Sequence, residues 1–211
     1  MKKKILVACL CVALAVLTVA GTTLAYLTSH DTVTNTFTVG NVAITLDEKD
    51  TDDSTPNAER DKANAYLLMP GKNYEKDPTV HVANTSENSW IFVKVENGIS
   101  TFEAASSTDA NGYKSIADQI KANDWTELTG VTGVTGVYYK KFSKPDNTTG
   151  NTDWVVFSNF QISDTANSVD GWSTIGTNNN IVVTAYAIQK EGFNTAAAAW
   201  AEVSKPATSG N

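Results

Sequence analysis

The chain has 211 residues, 16 basic against 23 acidic side chains, a net charge of −7 and 41% apolar residues. That length and apolar content suit one packed domain, while an acidic chain without basic clusters argues against nucleic acid and anionic lipid as partners. The only cysteines, Cys9 and Cys11, fall inside the N-terminal apolar run, so the remainder has no thiol, no disulfide and no thiolate metal ligand.

Residues 1–25 have the layout of a secretory signal peptide. Lys2, Lys3 and Lys4 form a positive start, Ile5 to Ala20 is almost unbroken apolar sequence, and Thr23-Leu24-Ala25 is a small-x-small cleavage site. The apolar run is shorter than the ~20 residues a spanning helix needs. Cleavage between Ala25 and Tyr26 is expected, which places the protein outside the cell and makes the mature chain more acidic still. The domain is expected to run from 26 to 204, with a disordered Pro/Ser/Gly-rich tail over 205–211.

From Tyr26 to Leu46 the chain reads as strand with a change of parity. Val33, Phe37 and Val39 occupy odd positions, whereas Val42, Ile44 and Leu46 occupy even ones. A one-residue slip turns every later side chain to the wrong face unless a bulge or bend absorbs it, and Gly40 is placed to do so. Asp47 to Lys62 is polar, aperiodic and read as an exposed loop; it lacks the glycine and closing glutamate of an EF-hand. Pro70-Gly71 predicts a type II turn. A strand is predicted from Tyr74 through Val82, with His81 on the solvent face. The next runs from Trp90 to Glu96: Ile91, Val93 and Val95 share one face, while the other begins aromatic and ends charged, as if only one end were covered.

Ser115-Ile116-Ala117-Asp118 has capping-box form and predicts a helix to Ala122. Asp124 to Leu128 reads as a short strand, and the T-G-V triplets of 129–137 as a loop leading into a strand over Val137–Phe142. Trp154 to Ile162 and Ile181 to Gln189 are apolar on both faces and read as central strands. Thr195 caps a last short helix with Ala197 and Trp200 on one face. The sum is a mostly-β protein, a jelly-roll-like antiparallel β-sandwich with one or two short helices.

Chemistry is sparse. The chain has two histidines, His30 and His81, and no H-E-x-x-H, G-x-S-x-G, P-loop or dinucleotide fingerprint. No catalytic residue, metal ligand, cofactor or small-molecule substrate is read from it.

Several stretches together resemble one family: GTTLAYLT at the signal end, TNTFTVGNVAITLDE, LLMPGK ahead of NTSENSWIFVKVE, and IVVTAYAIQKEGF. They resemble the TasA/camelysin proteins of Gram-positive bacteria, which a SipW-type signal peptidase processes during export. The likeness covers most of the chain outside about 101–153. It implies a structural subunit of extracellular biofilm-matrix fibres at the matrix or cell surface. Its partner would be a second copy of itself, with an accessory or anchor protein as a further one. The donated segment would begin at Tyr26 and run toward Phe37; the parity change at Gly40 extends it to Val39, with Tyr26, Leu27, Val33, Phe37 and Val39 carrying the contact and Gly40 as the hinge. The alternative that the resemblance implies is a camelysin-like metalloendopeptidase. A weaker third reading is an adhesin using exposed aromatics such as Trp172.

Overall fold

The computed structural model describes residues 40–52, 59–109, 111–144, 152–175 and 179–205. In chain order these form β1 (Ile44–Lys49), β2 (Arg60–Asp61), β3 (Asn73–Glu75), β4 (Thr79–Val82) and β5 (Ser89–Asn97). Helix α1 (Ile116–Ala122), β6 (Thr126–Glu127), β7 (Val137–Phe142), β8 (Thr152–Val155) and β9 (Asn159–Gln161) follow. The last elements are β10 (Ile181–Gln189) and helix α2 (Ala196–Val203). Every strand pairing is antiparallel, so the mostly-β class expected from the sequence is what forms. The orders are β2-β1-β4-β8 in one sheet, β10-β5-β7-β6 in a second, and a β3-β9 ribbon. They make a sandwich without establishing jelly-roll connectivity.

The two sheets enclose one apolar core. Val80 and Val82 of β4 meet Ile91, Val93 and Val95 of β5, with Ile44 and Leu46 of β1 packed against them. The period of two places these residues on one face of each strand. On the other face of β5, Trp90 and Phe92 form a second cluster with Ala199 and Trp200 of α2, while Lys94 and Glu96 stay clear of it. The half-covered face read from the sequence is therefore real, and α2 is its cover. Phe92 and Tyr186 both pack against the Trp200 ring, at 5.4 and 5.2 Å between centroids. Both helices begin where their caps predict: the Ser115 hydroxyl accepts from Asp118 N–H and that of Thr195 from Ala198 N–H.

Five expectations change. The predicted strand from Tyr74 through Val82 is two strands, β3 and β4, and the predicted strand over Trp154–Ile162 is also two, β8 and β9. Both breaks have one cause. Pro78 has no N–H to offer the ladder, and opposite it the chain turns through Val156 and Ser158. Val156 N–H donates to Pro78 O and Lys76 N–H to Ser158 O, so the paired chains bend together from the sheet into the β3-β9 ribbon. The strand Ile181–Gln189 is not central but lies at a sheet edge. The polar stretch read as loop from Asp47 begins as the second half of β1, and Glu48 in it is buried. Trp172 is not an exposed aromatic either; it packs edge-on against Phe102.

The turns follow their residues. Met69 O accepts from Lys72 N–H, and Gly71 has φ of 74°, as a type II turn requires. In the T-G-V repeat the glycines hold positive φ while Val131, Val134 and Val137 pack toward α2. Gly136 is the tightest of them, because a Cβ there would stand 2.5 Å from Val95 O. Gly136→Ala should lower stability in urea unfolding by at least about 2 kcal/mol. Gly130→Ala, with equal strain but nothing within 4 Å, should cost about 1 kcal/mol; equal losses would refute the steric account.

Candidate functional site

A groove of about 990 Å³ lies between β1 and β10. Ile44 and Leu46 line it from β1, Ile181 and Val183 from β10, and Tyr66 and Leu68 from the segment after β2. Alternation explains the lining: the odd residues of β10 turn to the sandwich core, and the even ones, Tyr186 and Ile188, to α2. Both faces of β10 are thus partly covered, yet all nine of its residues pair on one side only, with β5. Among the described residues no strand lies along its other edge. Val182 is 43% exposed there. Across the groove, β2 pairs with β1 only at Glu48 and Lys49, so Ile44 to Asp47 have no strand on that edge among the described residues.

One end of the groove is polar. Glu48 follows Ile44 and Leu46 on the inward face of β1, and its carboxylate meets the Lys76 ammonium. Both residues are buried, at 5% and 9% exposure. Asn64 Nδ2 donates to Glu48 Oε1 at 3.0 Å and to Lys49 O at 2.9 Å, so it fixes the chain after β2 against β1. Pairing offsets the desolvation of two charges that would otherwise be costly to bury.

His81 lies on the outer face of the same sheet. The strand pattern predicts an exposed histidine here, but its side chain retains only 16% of its surface. It sits between two carboxylates: Nδ1 is 2.6 Å from Asp153 Oδ1 and Nε2 is 3.0 Å from Asp47 Oδ1. Arg60 bridges Asp47 and Asp77 next to it. Burial works against the charged form of Asp47, but hydrogen bonds from Arg60 and His81 outweigh it and hold the carboxyl below its ordinary range. With both ring nitrogens engaged by carboxylates, His81 in this arrangement has none left for a metal.

Asp50, Asp52 and Asp61 bring carboxylate oxygens within 4.8 Å of one another, in the stretch where the sequence offered carboxylates without an EF-hand pattern. The cluster is on the surface, and Asp52 also accepts from Ala65 N–H. Proximity of acids alone makes no ion site.

Of the residues singled out from the sequence, Ala25, Tyr26, Leu27, His30, Val33, Phe37 and Val39 lie outside the described residues. Gly40 is exposed and precedes β1. Directly after it the chain is held, since Asn41 O accepts from Glu87 N–H and Ala43 O from Ala83 N–H. Any swing of the N-terminal segment must therefore pivot before Asn41. Gly40 is not among the glycines with positive φ, and an added Cβ would meet only the side chain of Glu87. The groove was missed in the sequence because apolar residues on both faces of β10 were read as a central strand.

Breaking the buried pair by Lys76→Met should cost about 3–5 kcal/mol in denaturant unfolding, whereas Glu48→Leu with Lys76→Met should restore most of it. A double variant as unstable as the single would show that packing, not charge, holds this end of the groove. Comparisons of the chain with protein-family models, with curated proteins and with solved structures gave no match.

Proposed function

We propose that this chain is an exported structural subunit of extracellular matrix fibres, which polymerises when the N-terminal strand of one copy enters the groove between β1 and β10 of the next. The observation that carries the reading is the edge of β10 that has no partner strand among the described residues, beside a groove walled in part by apolar side chains. A strand edge presents a row of N–H and C=O groups that another chain can pair with. Natural proteins usually blunt such edges with charge or proline; here the edge reads Ile-Val-Val-Thr-Ala-Tyr-Ala-Ile-Gln, with neither.

The donor is Tyr26 to Val39, whose Val33, Phe37 and Val39 share one face by parity and suit the apolar walls. Donation of this kind is a heterologous contact: the giving surface differs from the receiving one, so the assembly extends rather than closes. The signal peptide keeps the donor's N-terminus blocked until a SipW-type peptidase cuts at Ala25/Tyr26, so assembly follows export. A cysteine-free mature chain fits such a role, because its stability rests on packing and needs no oxidative step.

Electron microscopy of two preparations tests this, one chain beginning at Tyr26 and one with several residues placed ahead of it. The first should form fibres and the second remain monomeric; two monomeric or two fibrous preparations would reject strand donation. Within the fibre-forming chain, Val182→Lys should leave folding within about 0.5 kcal/mol, as an exposed substitution does. It should nevertheless abolish fibres by placing a charge at the receiving edge. Undiminished fibres from a folded Val182→Lys chain would remove β10 as the acceptor.

A further inference from the structure

The outer face of the β2-β1-β4-β8 sheet carries a row of charges centred on His81. In the ladder His81 of β4 stands opposite Thr45 of β1 and Asp153 of β8. Asp47, two residues along β1 from Thr45, reaches it diagonally. One imidazole therefore bridges three strands through two carboxylates.

A neutral imidazole has one N–H and one lone pair, whereas an ionised carboxylate can only accept. Two carboxylate oxygens at 2.6 and 3.0 Å on opposite ring nitrogens are both satisfied only if both nitrogens carry protons. With one proton removed, a ring lone pair would face a carboxylate oxygen at hydrogen-bond distance. We propose that His81 is a proton-dependent cross-tie of this sheet, bonding carboxylates of β1 and β8 to β4 while its imidazole is doubly protonated and losing one of those two bonds when it is not.

The surrounding charges support this assignment. Asp47 and Lys49 come from β1, Arg60 from β2, Glu75 from β3, Asp77 from the segment before β4, and Asp153 from β8. Lys49 is turned to Glu75, at 2.8 Å. The one nearby guanidinium, Arg60, is already shared between Asp47 and Asp77. The charges that His81 meets directly are thus the two carboxylates. Burial disfavours the imidazolium, but the hydrogen bonds and field of Asp47 and Asp153 outweigh it, and the pKa of His81 is raised.

A raised folded value means that the cross-tie contributes fully below the unfolded histidine value of about 6.5. Its contribution is lost as pH climbs through the higher folded value. On the acid side, the lowered value of Asp47 keeps its half of the tie charged until the pH falls through that value. The cross-tie therefore acts over a band reaching from the acid side into neutral pH. None of this depends on fibre formation.

Nuclear magnetic resonance of the ¹⁵N-labelled full chain carrying His30→Gln, which leaves His81 as its sole histidine, reads the protonation state directly. Near neutral pH both ring nitrogens should show imidazolium shifts; a neutral tautomer there would overturn the proposal. The unfolding midpoint of the unsubstituted chain should fall as pH rises from about 6 to about 9, with His81→Gln staying level over that range. Parallel pH profiles for the two chains would likewise overturn it. Asp153→Asn, which leaves one carboxylate on the ring, should show a slope between the two; a slope equal to that of the unsubstituted chain would exclude β8 from the tie.

Discussion

Backbone polar groups along a strand edge must be paired or left to water, and the way each edge is closed organises this molecule. The edge around β8 and β9 is closed by side chains from α1 and the turn after it. Gln119 Nε2 donates to Asn159 O while its Oε1 accepts from Ser158 N–H. Asn123 Nδ2 donates to Val156 O, and Trp125 Nε1 to Val155 O at 3.0 Å. A helix of seven residues thus serves as a substitute strand. The far half of β1 is closed by β2 and by Asn64. Among the described residues β10 has no comparable closure. That contrast, rather than the groove's volume, makes its edge the candidate surface.

The charges follow a related logic. An acidic chain has an excess of carboxylates to place, and here they are set against its few cations at positions that join strands. Lys76 and Glu48 join the segment after β3 to β1 in the interior, where removing one partner is far more damaging than removing both. Arg60 and His81 join β2, β1, β4 and β8 on the surface. Each of these ties crosses separate strands or segments, which is a part that disulfides can play in other small folds.

What the sequence disclosed was local. Ser115 and Thr195 name their helices because a cap is a contact within four residues, and Pro70-Gly71 names its turn because two residues set the dihedrals. The alternation in β5 disclosed a face covered at one end only, since apolar Trp90 and Phe92 followed by charged Lys94 and Glu96 is written in the period. The interior position of Glu48 was not legible, because its partner Lys76 lies beyond an unrelated loop. Nor was the His81 cluster, whose three members lie at positions 47, 81 and 153. The bend at Pro78 was half legible: proline signals a break, but not that β8 and β9 break with it.

The misreading of β10 has the most general cause. A strand has two faces and two edges, and hydrophobic pattern reports only the faces. In β10 one face meets the sandwich core and the other meets α2, so the sequence is apolar throughout and looks central. Edge pairing leaves no mark in that pattern, because every residue supplies the same backbone groups whatever its side chain. A strand covered on both faces and uncovered along one edge is prone to indiscriminate pairing unless a specific partner takes the edge. A lysine at Val182 would have blunted it at little cost in stability, since that side chain is 43% exposed. The absence of lysine and proline from β10 is thus what the proposed strand donation rests on.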